Sequence, residues 1–266
     1  MIRNILLTIK YDGTEFSGWQ RQPQVPTVQA EIERVLGVLC ADDIEINGTS
    51  RTDAGVHALG QRANFLGEFA IPTENIKRAA NSMLDPAIQI TEVREVELGF
   101  HARFDCKGKT YEYRIHNGRE CDPFRRNYCY FVNIQQLDTE KMKEAAGYIS
   151  GTHDFKCFQA SGSEEKKTTV RTISAISVET LEWTEEMAVP DESDSRWFAP
   201  KDITIRVTGD GFLYNMVRII AGTLVDVGLG RLDPEDVKEA IESLDRRKAG
   251  HTAPPQGLYL KEIYFE

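Results

Sequence analysis

The chain has 266 residues, 41% hydrophobic and 28% charged, which is material for one large domain or two small ones with a real core. Near the N-terminus the apolar run Ile5 to Ile9 is too short for a membrane span or a signal peptide, so a cytoplasmic location is expected. Five cysteines without a C-x-x-C pair predict reduced thiols with no disulfide, zinc or redox work, and a net charge of −10 argues against a generally basic surface for nucleic acid.

In chain order, period-two alternation from Arg3 to Lys10 predicts a strand. After a turn-rich loop with Asp12-Gly13, Gly18, Pro23 and Pro26, a helix is expected to open at Thr27 with Val28, Ile32, Val35, Leu36 and Leu39 on one face. Strands are expected near Ile44 to Gly48 and Gln61 to Leu66. Thr73 then reads as the cap of a helix through Ile76, Ala80 and Met83, which Pro86 ends ahead of a strand from Ala87 to Val96. This β-α-β-β-α-β order is a ferredoxin-like unit.

The second half reads as a repeat: a strand from Lys109 to His116, a helix from Asp138 to Ile149, strands from Val170 to Leu181 and Asp202 to Thr208, and a helix from Phe212 to Val227. An extra helix has Asp233 as N-cap and Pro234 at its first position, and Leu258 to Phe265 reads as the last strand. The expected fold is α+β, a tandem pair of ferredoxin-like units over residues 1–101 and 102–266 with the boundary near Gly99 to Phe104. An extended, mainly antiparallel sheet with helices on one face would leave a central cleft, where ligands tend to bind. The run Phe212 to Leu229 is strongly apolar, but Arg218 in its middle and Asp226 near its end exclude a membrane span.

Chemistry concentrates between Gly48 and Ala58. Arg51, Asp53 and His57 stand there among Thr49, Ser50, Thr52, Ala54 and Gly55, small residues that let a backbone or a flat ligand approach an acid held on a turn. Turn chemistry alone accounts for Asp and Gly at this spacing. Arg51 adds a fixed charge that would keep Asp53 ionised, fit to be a nucleophile, a base or an electrostatic stabiliser. Arg218, between Val217 and Ile219, needs an acid partner if buried; a structural pair and a catalytic one both satisfy that need, and Asp53 is the expected partner. Tyr111 and Tyr113 alternate with Glu112 and Arg114 and share one strand face, either as packing or as the wall of a pocket for a flat base that has left its helix. His57 and His153 lack further ligands at metal spacing and are expected to be structural or RNA-contacting.

The charge is unevenly distributed. Glu179, Glu182, Glu185, Glu186, Asp191, Glu192 and Asp194 lie in one stretch free of Lys and Arg, whereas Arg103, Lys107, Lys109, Arg114, Arg119, Arg125 and Arg126 cluster in another, and Lys166, Lys167 and Arg171 in a third. Solvated faces and a phosphate-binding surface are both consistent with those clusters.

On these residues the chain resembles the TruA family of tRNA pseudouridine synthases. The segment Gly48 to Ala58 is similar to the family's catalytic loop, whose essential carboxylate falls on Asp53. The family's active-site Tyr falls on Tyr111, after His101-Ala102-Arg103-Phe104, and its helical Arg on Arg218. Similarity continues through Tyr11-Asp12-Gly13, Phe16-Ser17-Gly18-Trp19-Gln20, Gly151-Thr152-His153-Asp154-Phe155 and Arg171-Thr172-Ile173, across essentially the whole chain. The acidic stretch from Glu179 to Ser195 looks like an insertion, and Tyr214-Asn215 stands where many members carry histidine.

The resemblance implies isomerisation of uridine to pseudouridine at positions 38, 39 and 40 of the tRNA anticodon stem-loop, by a homodimer, with no cofactor and no metal. Tyr111 would stack on the uracil and help remove its C5 proton. Arg51 would fill the gap left by the flipped nucleotide, and Arg103, Lys166, Lys167 and Arg171 would meet phosphate. A non-catalytic RNA-binding protein, built from two ferredoxin-like modules, and an Asp-dependent nucleoside glycosidase are the competing readings.

Overall fold

The computed structural model describes residues 2–162, 168–183 and 198–266. Two compact units divide the chain, Met1–Lys109 with Tyr259–Glu266, and Thr110–Leu258. The first half of the chain runs β1 (Ile2–Tyr11), α1 (Val28–Cys40), β2 (Asn47–Gly48), β3 (His57–Glu68), α2 (Thr73–Asn81) and β4 (Ile88–Val96). There follow β5 (Gly108–Asn117), β6 (Tyr130–Val132), α3 (Thr139–Ile149), β7 (Gly151–Asp154), β8 (Val170–Glu182), β9 (Lys201–Gly209), α4 (Met216–Gly228), α5 (Pro234–Ser243) and β10 (Leu258–Tyr264). The molecule is thus mixed α+β, and each unit carries a mainly antiparallel sheet.

In the first unit β1 lies between β4 and β3, antiparallel to both, and Leu6 stands opposite Asn64 on one side and Arg94 on the other. β10 joins β3 in parallel, pairing Tyr259 with His57, so the last strand completes the first unit. Ile5, Leu7 and Ile9 of β1 and Val28, Ile32, Val35 and Leu36 of α1 are fully buried, each removed from water for about 1.5–3 kcal/mol. Leu6 and Asn4 on the other face of β1 are buried as well.

Three local expectations are corrected here. The strand read from Ile44 to Gly48 shrinks to Asn47–Gly48, because side chains of α1 occupy the backbone groups that a strand partner would take: Glu33 Oε1 accepts the Ile46 N–H at 3.0 Å and Gln29 Nε2 donates to the Ile46 carbonyl at 3.3 Å. Thr73 is the first residue of α2 rather than its cap, a place held by Pro72, and the Thr73 hydroxyl accepts from Arg3 Nη2 at 2.5 Å. The helix read from Phe212 begins at Met216, since Asn215 adopts the left-handed φ of 58° and breaks the run.

In the second unit the strands lie in the order β5, β9, β8, β7, with β6 parallel to β5. β9 alternates as a half-buried strand should, with Ile203, Ile205 and Val207 fully buried between partly exposed Asp202, Thr204, Arg206 and Thr208. Asp138 caps α3 by accepting the Glu140 and Lys141 N–H groups, both at 3.1 Å, and Asp236 accepts the Asp233 N–H at 2.8 Å to start α5. α3 packs against α4 and α5, and α4 is buried along nearly its whole length except at Arg218. Among the described residues no helix is long and apolar enough to cross a membrane.

The open end of β9 is fastened by charge. Buried His116 approaches Asp202 Oδ1 through Nδ1 at 2.8 Å, Arg125 Nη2 donates to the same oxygen at 2.9 Å, and the Arg125 guanidinium sits 5.5 Å over the Trp183 ring. Burial pushes the Asp202 carboxyl up, but the hydrogen bonds from His116 and Arg125 outweigh it and hold it below its ordinary 3.8. A carboxyl held low in the folded state contributes its stability in full above the unfolded-chain value and loses it as pH falls through the folded one. Asp202→Asn is therefore expected to lower the melting temperature at pH 7 and to narrow the gap between pH 7 and about pH 3; thermal unfolding across that range checks it.

Candidate active site

Between β2 and β3 the chain passes through Thr49 to Val56, and several of its backbone groups are held by side chains or by a neighbouring loop. Thr49 N–H donates to the Arg62 carbonyl at 2.8 Å, and Lys109 Nζ reaches the Thr49 carbonyl at 3.1 Å and Ser50 Oγ at 3.2 Å. Gln61, fully buried, donates to the Ser50 carbonyl at 2.6 Å and accepts the Ser50 N–H at 3.3 Å. The Thr52 carbonyl accepts the Trp19 N–H at 3.0 Å, and its hydroxyl lies 2.7 Å from that of Tyr11. Half-buried Asp53 closes a turn, its backbone carbonyl accepting the Val56 N–H at 3.1 Å, with Gly55 at φ 76° inside it. The acid thus stands on a rigid turn.

The loop after β1 lies backbone to backbone against this turn. A methyl on Gly18, at φ 91°, would stand 2.5 Å from the Thr52 carbonyl oxygen and 3.1 Å from the Asp53 carbonyl carbon, and one on Gly13 would collide with the Val56 carbonyl. His57 Nδ1 lies 3.1 Å from the Gly13 nitrogen and 3.2 Å from Asp12 Oδ1. His57 is buried and stacked on Tyr259 with ring centroids 4.7 Å apart, the structural role among the alternatives read from sequence. Neither glycine's partner could be read from the chain, where both look like ordinary loop punctuation.

In the second unit, Tyr111 is buried and packs edge-on against Phe212 at 5.1 Å, on the segment that leads into α4. Tyr113 is fully buried; burial pushes its phenol well above the ordinary range, against the opposing charge of Arg218, so it stays protonated and donates to the Pro254 carbonyl at 2.7 Å. Arg218 donates through Nε to the neighbouring Ala253 carbonyl at 2.8 Å and through Nη1 to Asn215 Oδ1 at 2.9 Å. Two of the five guanidinium donors are fixed this way.

The expected basic surface divides by role. Arg51 is exposed and forms no hydrogen bond or ion pair among the described residues, so it is not the cation that holds Asp53. An exposed pair of that kind contributes little against hydration, while Thr52 between them is pinned inward. Arg114 is committed to Glu112 and Arg125 to Asp202, and Lys109 is spent on the acid loop. Exposed Arg103 lies beside that loop, because Thr49 Oγ1 donates to the Ala102 carbonyl at 3.0 Å and Asn64 Oδ1 accepts the Ala102 N–H at 2.9 Å. Arg171 donates to the carbonyls of Thr168 and Val170 at 3.1 and 2.5 Å. Lys166 and Lys167 lie outside the described residues, as does most of the acidic stretch, residues 184–195.

The sequence pattern of the tRNA pseudouridine synthase family matches residues 7–105 and 145–266. The chain belongs to the tRNA pseudouridine synthase family. Within that match lie Arg51, Asp53, Arg103, Arg171 and Arg218, whereas Tyr111 falls in the interval it skips. Similarity to full-length relatives spans that interval too. The chain is 46% identical over 268 residues to tRNA pseudouridine synthase A 2 of Clostridium tetani, covering 100% of both chains. It is 44% identical over 264 residues to tRNA pseudouridine synthase A of Acetivibrio thermocellus, covering 99% of this chain and 100% of the relative.

For this family member the glycine cradle makes a sharp prediction. Gly18→Ala forces an L side chain into a left-handed φ and a methyl against the Thr52 carbonyl, and is expected to cost about 1–3 kcal/mol of stability. Thermal unfolding measures that loss, and uridine-to-pseudouridine turnover is expected to fall further than the unfolded fraction explains.

Proposed function

We propose that this protein acts on nucleotides 38, 39 and 40 of the tRNA anticodon stem-loop, with Asp53 as its catalytic carboxylate. As a tRNA pseudouridine synthase it isomerises uridine to pseudouridine in tRNA. The observation that carries the assignment to Asp53 is the way the acid is held: a half-buried carboxylate on a turn whose flanking backbone is pinned by Tyr11, Trp19 and Gln61 and closed against Gly18. Such fixation gives a reacting group its orientation before substrate arrives.

The reaction breaks the C1′–N1 bond, turns the base, forms a C1′–C5 bond, and moves a proton from C5 to N1 in balance, so RNA mass is unchanged. Asp53 serves as nucleophile toward C1′ or C6, or as the base that takes a ribose proton to give a glycal. In this reading Arg218 is a catalytic cation, and Tyr111 stacks on the uracil and assists loss of the C5 proton. Arg51, exposed and without an ion pair among the described residues, supplies a planar cation that occupies the space of the flipped nucleotide. Arg103, Lys166, Lys167 and Arg171 meet phosphate, a sequence-independent contact suited to a reader of several adjacent positions. The protein works as a cytoplasmic homodimer without metal or other cofactor. The order β1-α1-β2-β3-α2-β4, and among the later elements β5, α3, β8, β9 and α4, supports a tandem ferredoxin-like design.

Tritium release from tRNA labelled at uridine C5 tests the assignment. The native protein is expected to release label, and Asp53→Asn to lose at least ~10⁴-fold in rate while tRNA affinity changes by less than about tenfold. Binding without release by the native protein would favour an RNA-binding module, and free uracil with an abasic product would favour a glycosidase.

A further inference from the structure

We propose that the segment Gly250 to Pro254 is a template for the Arg218 guanidinium, and that Gly222 and Thr223 are positioning residues acting through it. The inference rests on the reading of Arg218 as part of the catalytic site. Arg218, Gly222 and Asp226 are spaced four residues apart and line one face of α4. The segment runs along that face in the opposite direction. Ala253 N–H donates to the Arg218 carbonyl at 3.0 Å, and His251 lies over Gly222. A methyl at Gly222 would stand 2.8 Å from the His251 carbonyl carbon and 3.1 Å from the Ala253 nitrogen. The approach is equally close on the other side, since a methyl at Gly250 would stand 2.6 Å from Thr223 Cα. Two glycines therefore let helix and segment meet backbone to backbone.

Side chains then lock the register. Thr223 Oγ1 donates to the Ile219 carbonyl at 2.8 Å and accepts the Gly250 N–H at 2.9 Å. Asp226 Oδ2 accepts the His251 N–H at 3.1 Å and lies 2.8 Å from His251 Nδ1. Arg246 Nη1 donates to the Gly250 carbonyl at 2.8 Å, and Tyr113 holds the Pro254 carbonyl. So many constraints on so short a segment fix one product, the position of the Ala253 carbonyl that accepts from Arg218 Nε. With Asn215 Oδ1 on Nη1 as the second acceptor, the plane of the guanidinium is defined, which a single acceptor would not achieve. Misplacing a reacting or stabilising group by about 1 Å can cost on the order of 100-fold in rate.

Single-turnover tritium release, steady-state KM for tRNA and melting temperature are measured on Gly222→Ala, Thr223→Val, Thr223→Ser and, as a control, Gly147→Ala in α3, where a methyl meets nothing within 4 Å. Gly222→Ala and Thr223→Val are expected to slow the chemical step by about 10- to 100-fold with KM within about threefold of native. Thr223→Ser, which keeps the hydroxyl, is expected to restore the rate, and the control to behave as native. In an Arg218→Lys background neither slow variant is expected to lose more than about a further twofold, because both act through the group already removed. A folded Gly222→Ala or Thr223→Val at native rate, or losses that multiply with Arg218→Lys, overturns the proposal. Should Gly222→Ala not fold, the Thr223 pair decides alone. A native rate for Arg218→Lys and Arg218→Ala would instead overturn the role of Arg218 itself.

Discussion

A backbone that leaves the sheet ladder must find other partners for its N–H and C=O groups, or lose on the order of 1–3 kcal/mol for each one buried without any. The stretch that carries Asp53 faces this problem in full, because Thr49, Ser50 and Thr52 are buried yet only Gly48 before them and His57 after them lie in strands. The molecule answers with fixed donors and acceptors, among them Gln61, Tyr11, Lys109 and the Trp19 N–H, and with glycines that bring one loop against another closely enough for those bonds to form. Rigidity of the acid is the by-product of satisfying its own loop. Much of what is placed near Asp53 in the first unit, including the Ala102-Arg103 segment, follows from that requirement.

The same solution appears around Arg218. A cation on a nearly buried helix is costly unless its donors are taken up, and here the neighbouring segment supplies a carbonyl and the residue before α4 an amide oxygen. In both units a charged group is set by backbone packing across glycine together with side-chain hydrogen bonds, from Gln61, Tyr11 and Lys109 in the first unit and Asn215 in the second. The surrounding net charge of −10 matters less than this local arrangement, since Arg114, Arg125 and Arg206 are spent on Glu112, Asp202 and again Glu112. Charge totals do not distinguish a cation held for structure from one left on the surface, as Arg51 and Arg103 are.

Much of this was legible along the chain, and the misses share a cause. Long periodic elements declare themselves by a local property, β9 by side-chain alternation and α1 and α3 by apolar residues three and four apart. Ile44 and Ile46 carry the same alternation, but Glu33 and Gln29 from α1 reached their backbone first. β6 and β7, three and four residues long, are too short to show a period. The pair expected between Arg51 and Asp53 does not form among the described residues, since closeness in sequence does not by itself bring an exposed guanidinium to a half-buried carboxylate.

By itself, the amino-acid sequence determined the α+β class, the positions of the main helices and strands, and the resemblance of the Gly48 to Ala58 loop to a catalytic motif, because each is written in residue types at short spacing. Only the tertiary structure decided that β10 completes the first unit, that Gly18 and Gly13 exist for the carbonyls of Thr52 and Val56, and that Ala253 sets Arg218. Those are contacts between segments far apart in the chain, and the residue that allows them is a glycine, whose missing side chain announces space without naming what fills it.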